Sequence, residues 1–293
     1  MYLRALRGYE FIMNTIELIS YAKVNLRLDI LRKRDDGYHE IRTVFQKISL
    51  ADEMNIAIAK SGIQIACDHP RVPLNETNLA YRAAHSLLNK HKIRDGVSIS
   101  IKKHIPIAAG LGGGSSNAAS TLMGINQLFE LGMNPQELMS IGKDIGANVP
   151  FFIFGESALA TGIGDKLEPL EVMPPLWFLL ITPDFPISTA WAYRNVRRGL
   201  TNTNNNITIP KCINHLQDVI TLLSNDLEHV VIPRYPLIQE IKDALLAEGA
   251  KGSLMSGSGS TVFVIFESEA GAKEAFIQIK AQKNWQVHLS QKV

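Results

Sequence analysis

The stretch that most limits what this chain can fold into is Pro106-Ile107-Ala108-Ala109-Gly110-Leu111-Gly112-Gly113-Gly114-Ser115-Ser116-Asn117-Ala118-Ala119. Four glycines and two serines stand between a basic, strand-like segment and an apolar helical run. Without side chains, the backbone at 110–114 can approach a ligand closely. Ala118, Leu122, Ile125 and Phe129 recur at three- and four-residue steps, which predicts a helix from Asn117, stopped by Gly132. A glycine-rich loop feeding a helix start turns free N–H groups and the positive end of the helix dipole onto one point. That is an anion site, most simply for phosphate. No Lys-Ser/Thr pair follows the loop, and its glycines miss the Gly-x-Gly-x-x-Gly spacing, so neither common nucleotide fingerprint is met. A flexible Gly/Ser linker, for its part, would not run straight into an amphipathic helix.

The chain is 293 residues long, enough for one large or two medium domains. A hydrophobic content of 46% with 20% charged residues suits an ordinary soluble enzyme, and a net charge of +2 carries no bulk signal for nucleic acid or membrane. Cys67 and Cys212 have neither metal nor disulfide-framework spacing and fit a reducing, cytoplasmic setting. Apolar runs such as 176–181 are too short to span a bilayer. Residues 1–17 lack the apolar core and cleavage pattern of a signal peptide. Met13 is a candidate alternative start, which would make 1–12 an extension, and a mitochondrial-type presequence is the other reading.

From residue 19 to 32, Val24, Leu26, Leu28 and Ile30 alternate with Asn25, Arg27 and Asp29, predicting a strand with one buried face. Lys23 stands at its start, and the charged turn Asp36-Gly37-Tyr38-His39 leads to a second strand at 41–50. Segments 54–59 and 62–67 read as a further hairpin, 78–91 as an amphipathic helix, and Val97, Ile99 and Ile101 as a strand. Asn134-Pro135-Gln136-Glu137 has the chemistry of a helix start, and that helix should end at Gly146. Gly146-Ala147-Asn148-Val149-Pro150-Phe151-Phe152 reads as a tight connection into an apolar strand, where Asn148 alone would pass for a turn residue. Composition shifts near residue 157. Beyond it the pattern predicts a turn at 162–165, strands at 176–182 and 261–266, and a short helix from Thr189 through Tyr193. Helices are expected at 216–223, 238–247 and 270–281, a polar loop at 202–206, and a second Gly/Ser loop at 252–260.

Lys23 with Asn25 on a first strand, the central glycine loop and the C-terminal glycine loop stand in an order that resembles the galactokinase–homoserine kinase–mevalonate kinase–phosphomevalonate kinase (GHMP) superfamily over nearly the whole chain. Ala22-Lys23-Val24-Asn25-Leu26, Asp36-Gly37-Tyr38-His39 and Val149-Pro150-Phe151-Phe152 point to the branch that phosphorylates 4-diphosphocytidyl-2-C-methylerythritol in the non-mevalonate isoprenoid pathway. The resemblance implies an α+β fold of two domains, an N-terminal ribosomal-protein-S5-like domain at 13–160 and a C-terminal ferredoxin-like layer at 161–293, with the active site in the cleft between. It implies ATP and Mg²⁺, with Pro106 to Ser116 around the phosphates, Ser115 facing phosphate or metal, and Asn78 and Lys103 near the nucleotide. Tyr38 and Tyr193 would sandwich the acceptor's cytosine, His39 would hydrogen-bond it, and Asn25 and Thr189 would complete the acceptor site. Stacking on a base is worth roughly 1–3 kcal/mol. Lys23 would supply charge beside the acceptor hydroxyl, since phosphoryl transfer asks mainly for placement and charge neutralisation.

Relatives in that branch carry a catalytic aspartate in a Gly-Ala-Asp-Val-Pro segment, where this chain has Asn148. A neutral amide cannot act as a base, and a general base contributes about 10²–10⁴ in rate. Asn148 is then an engineered replacement, a natural residue in an enzyme that needs no carboxylate, or the mark of a chain that only binds. The competing functions are a homoserine-kinase-like enzyme, which would have no base to stack on Tyr38 and Tyr193, and a nucleotide-binding pseudokinase. Basic residues form no stripe for nucleic acid, and monomer and homodimer both stay open.

Overall fold

The computed structural model describes residues 14–196, 208–282 and 285–293. Its elements run β1 (Thr15–Lys33), β2 (His39–Ala59), β3 (Ile63–Cys67), α1 (Leu79–Lys90), β4 (Gly96–Lys102), α2 (Gly113–Leu128), α3 (Pro135–Ile145), α4 (Val149–Phe154), β5 (Ser157–Thr161) and β6 (Lys166–Pro169). They continue with β7 (Trp177–Thr182), α5 (Thr189–Arg194), α6 (Leu216–Leu222), β8 (Ser224–Asn225), α7 (Glu228–Arg234), α8 (Leu237–Ala247), β9 (Gly252–Met255), β10 (Val262–Phe266), α9 (Glu269–Gln282) and β11 (Gln286–Gln291). The larger sheet runs β3-β4-β2-β1-β8, with β5 on β2 and β6 on β5. The smaller runs β11-β7-β10-β9. The fold is α+β, and the larger sheet continues to Pro169 before the chain enters the smaller one. No helix among the described residues is long and apolar enough to cross a membrane.

Three apolar clusters explain the layering. One packs α1 to α4 on the larger sheet through residues such as Leu87, Leu122 and Phe151. A second joins the smaller sheet to α8 and α9 through Ile241, Val264 and Ile279. The third lies between the sheets, where Val24 and Leu26 meet Phe178, Leu180 and Phe263. For this reason β1 departs from its sequence reading. Residues 22–30 are buried on both faces, not one: Val24 and Leu26 lie in the third cluster, Leu28 and Ile30 in the second, and a register shift between Asn25 and Arg27 interrupts the alternation.

Other expectations are also corrected. The expected hairpin at 54–67 does not form. β2 runs unbroken to Ala59 and pairs with β4, and β3 lies parallel on the far side of β4. Consecutive apolar strands invite a hairpin reading, but β4 lies between them, antiparallel to β2 and parallel to β3. The segment after Asn148 is helical, not extended. Pro150 sits in the first turn, where its missing N–H is no loss, and Phe151 and Phe152 are buried in the first cluster. The second Gly/Ser loop is shorter than expected, since Gly252–Met255 is already strand β9. Helix α2 begins at Gly113, earlier than Asn117. The expected extension at 1–12 and polar loop at 202–206 lie outside the described residues. The start of α3 forms as read: Asn134 accepts from the Glu137 N–H at 3.0 Å, and Glu137 accepts from the Asn134 N–H at 2.8 Å.

Candidate active site

The two sheets and their loops enclose a cavity of about 980 Å³, at the upper end for a ligand site. Its floor is β1, its roof the glycine loop running into α2, and its far wall the loop after β9 together with α5.

The loop is shaped by close approaches that only glycine tolerates. Gly110 holds φ +80°, and a β-carbon there would lie 2.0 Å from the Ser256 carbonyl oxygen. Gly112 holds φ +75°, with Phe152 Cζ 2.8 Å and Lys23 Cγ 3.2 Å from the same hypothetical atom. The two glycine loops are tied together: Ser256 Oγ donates to the Gly110 carbonyl at 3.0 Å, and the Thr261 N–H donates to Ala109 at 3.2 Å. Asn225 Nδ2 holds the second loop in turn, donating to the Met255 and Gly257 carbonyls at 2.7 and 2.8 Å. No side chain caps α2, whose N-cap is Gly112, so its first N–H groups are free for an anion at the cavity.

Of the residues expected in the site, Lys23, Asn25, Tyr38, His39, Asn78, Lys103, the run 106–115, Asn148, Thr189 and Tyr193 all line this cavity. Ser116 does not. It is buried one step into α2 and accepts from Ser20 Oγ at 2.8 Å. Asn78 has a structural duty as well, since its side chain accepts from the Ala80 N–H and donates to the Pro73 carbonyl, capping α1. Thr189 Oγ1 and Ser258 Oγ lie 2.8 Å apart, joining α5 to the second loop.

At one end the cavity is aromatic. The rings of His39 and Tyr193 lie 5.4 Å apart at 34°, while Tyr38 is 60% exposed and open to a planar ligand. Burial lifts the Tyr193 hydroxyl to about 12, and burial with nearby Lys33 pushes the His39 imidazole below its ordinary value. At the other end two lysines reach in. Lys103 Nζ forms an ion pair with Asp52, which is fully buried. Asp52 also accepts from the backbone N–H groups of His104 and Ile105, each at 2.9 Å, and from Asn117 Nδ2 at 2.9 Å. This carboxylate thus fixes the segment entering the glycine loop, a lysine beside it, and the first turns of α2.

Lys23 is held differently. Its Nζ donates to Asn25 Oδ1 at 2.5 Å and to the Gly110 carbonyl at 2.5 Å, and it lies 5.7 Å from the Phe45 ring centre. No carboxylate pairs with it among the described residues, and burial drops its pKa to about 7. Sequence reasoning passed over Asp52, Asn117 and Gly257. Asp52 falls between the strands expected at 41–50 and 54–59 and looks like any surface carboxylate until β2, which runs through it, pairs with β4.

The description "GHMP kinases N terminal domain" matches residues 78–156, and "GHMP kinases C terminal" matches 208–283. The chain is 50% identical over 274 residues to the 4-diphosphocytidyl-2-C-methyl-D-erythritol kinase of Citrifermentans bemidjiense, covering 93% of this chain and 97% of that one. The enzyme of the same name from Geobacter metallireducens is 48% identical over the same shares. A crystal structure of 4-(cytidine 5'-diphospho)-2C-methyl-D-erythritol kinase superposes with a TM-score of 0.79 at 32% identity, over 94% of this chain and 99% of that one. Homoserine kinase from Cytophaga hutchinsonii shares the fold, with a TM-score of 0.64 over all of this chain and 97% of that one, at 18% identity. Joined to a glycine loop, an uncapped helix start and an aromatic end in one cavity, these likenesses place the chain in the GHMP kinase family, among the 4-diphosphocytidyl-2-C-methyl-D-erythritol kinases.

Proposed function

We propose that this protein transfers the γ-phosphoryl group of ATP to the 2-hydroxyl of 4-diphosphocytidyl-2-C-methyl-D-erythritol, as a cytoplasmic step of non-mevalonate isoprenoid synthesis. The observation that carries the reading is the single cavity that joins an anion-binding helix start to an aromatic end, with Lys23 lining the same space. In this reading the acceptor's cytosine stacks between Tyr38 and Tyr193, with His39 as its hydrogen-bond partner; all three line the cavity. Asn25 and Thr189 line the acceptor side, and Asn78 and Lys103 the nucleotide side. The run 106–115 wraps the ATP phosphates.

The loop fits a triphosphate because its backbone is bare where phosphate oxygens would lie. A β-carbon on Gly113 would stand 3.0 Å from Lys103 Nζ. The described residues contain no cluster of three or more His, Cys, Asp or Glu side chains for a metal. Mg²⁺ would need no such cluster, since it keeps several waters and is commonly held by substrate phosphates with one or two protein oxygens. Ser115 Oγ is the protein oxygen that would hold it. Bound there with ATP, Mg²⁺ would neutralise charge on the transferring phosphate. The protein's share of the reaction is placement: N–H groups of α2 for the phosphates, Lys103 locked by Asp52, and Lys23 beside the reacting hydroxyl.

The test is ATP-dependent phosphorylation of 4-diphosphocytidyl-methylerythritol, run beside homoserine. Turnover of the cytidine compound alone is expected, and turnover of homoserine instead would overturn the acceptor assignment. Tyr38→Ala should weaken the cytidine ligand by roughly 1–3 kcal/mol and spare ATP. Gly113→Val should remove ATP binding from a folded protein, and unchanged ATP affinity would sink the phosphate-cradle assignment.

A further inference from the structure

Among the described residues lining the cavity the one carboxylate is Asp36, and Asn148 is an amide that cannot take a proton, so another group takes the acceptor's proton or none does. We propose that Lys23, held as a neutral amine, is the proton acceptor for the hydroxyl that attacks ATP. The proposal rests on the kinase reading above and assigns a step within it.

The hydrogen bonds around Nζ fix its donors. Thr43 Oγ1 donates its proton to the Arg27 carbonyl at 2.5 Å, so it accepts from Asn25 Nδ2 at 2.8 Å. That orientation turns the Asn25 carbonyl oxygen, not its amide nitrogen, toward Lys23. The second neighbour, the Gly110 carbonyl, is also only an acceptor. A neutral amine has two N–H bonds and one lone pair. Both N–H bonds are spent on these acceptors, and the lone pair is what remains for a ligand in the cavity that Lys23 lines. Neutrality follows from place. The residue is 3% exposed and carries no ion pair among the described residues, whereas Lys103, lining the same cavity, has Asp52. Burial without a counter-charge favours the uncharged form and brings Lys23 to about 7.

The other charged and titratable groups around the cavity do not replace it. Asp36 is engaged by Arg34 at 2.8 Å, and Asp52 is consumed by Lys103 and three further donors. His39 lies at the aromatic end, against Tyr193. Lys33, Tyr38, Arg71 and Arg194 complete the lining, and Lys47 is the register partner of Lys23 on β2, itself pushed down by burial. The step balances. The Nζ lone pair takes the hydroxyl proton as the O–H bond breaks, and the freed oxygen forms a bond to the γ-phosphorus. The bond from that phosphorus to the bridging oxygen breaks, and its electron pair leaves with ADP. The ammonium returns its proton to solvent as products depart.

Two readouts test this. In ligand-free protein labelled with ¹³Cε-lysine, the Lys23 resonance, assigned by its loss in Lys23→Arg, should titrate near pH 7. An inflection above pH 9 would overturn the proposal. In kinetics the sign decides. A lysine acting as a base makes kcat/KM for the acceptor rise about tenfold per pH unit up to its inflection, whereas a lysine needed as a cation makes it fall across the same range. Lys23→Arg, which keeps charge and loses basicity, should lose about 10²-fold or more in kcat. In Asn148→Asp the rising limb should move down toward the carboxylate range. A flat or falling profile between pH 6 and 8, or a limb that vanishes in His39→Gln, overturns the assignment. If Asn148→Asp turns over and the protein as it stands does not, Lys23 is not the acceptor and the kinase reading survives. If neither turns over, both fail.

Discussion

Lys23 and Lys103 line one cavity with side chains almost out of solvent, 3% exposed for the first residue and 5% for the second side chain, yet their partners are opposite in kind. Lys103 is locked to a buried carboxylate that also accepts two backbone N–H groups and an amide. Among the described residues, Lys23 has as hydrogen-bond partners an amide oxygen and a backbone carbonyl. A buried ammonium with a carboxylate is a fixed charge, suited to holding a phosphate. A buried amine without one gives up its proton near neutrality, and so is suited to proton transfer. One side chain type meets opposite neighbours within one cavity.

The largest effect that would break this comparison is Asp52→Ala. It leaves the Lys103 charge and three N–H donors buried without a partner, and should cost about 3–5 kcal/mol of stability, read by chemical denaturation. A loss under about 1 kcal/mol would show that water replaces the carboxylate easily. Next comes the pH dependence of stability. The folded value of Lys23, about 7, lies below its unfolded value. Between the two, the unfolded chain binds the extra proton, so stability rises with pH by about 1.4 kcal/mol per unit from this group. Below pH 7 both states hold the proton and the contribution is flat. Denaturation at pH 7, 8 and 9 should show that slope, and Lys23→Met should remove it.

Asp52→Asn sharpens the contrast more gently. It keeps an acceptor for the backbone donors and removes the charge that holds Lys103. The KM for ATP should rise about tenfold, roughly 1.4 kcal/mol, with kcat spared. A fall in kcat at unchanged KM would mean that Asp52 acts on the chemistry instead. Smallest is Lys102→Ala. This neighbour of Lys103 is exposed and pairs with exposed Glu53 at 3.2 Å, a contact worth about 0–1 kcal/mol. A larger loss would weaken the argument that burial, not pairing alone, separates these lysines.

Much of the site was legible because its chemistry is contiguous. The glycine loop, the Asp36-Gly37-Tyr38-His39 turn and the α3 start each carry their signal within a few residues. Asp52 carried none, because its partners Lys103, His104, Ile105 and Asn117 lie more than fifty residues on and arrive only when β4 pairs with β2. Ser116 shows the converse. Sequence adjacency grouped it with Ser115, but one step along a helix turns a side chain about 100° and points it at Ser20.

By itself the sequence determined a glycine loop ahead of a helix, an aromatic turn and an amide at position 148, since each is a matter of residue type at short range, and it pointed to the α+β class that the two sheets form. Only the tertiary structure decided that residues after Asn148 form a helix, that β1 is covered on both faces, and which lysine meets a carboxylate. Those outcomes depend on burial and on pairing between distant segments. An amine's charge at neutral pH is set by the groups that the fold brings within a few ångströms of it.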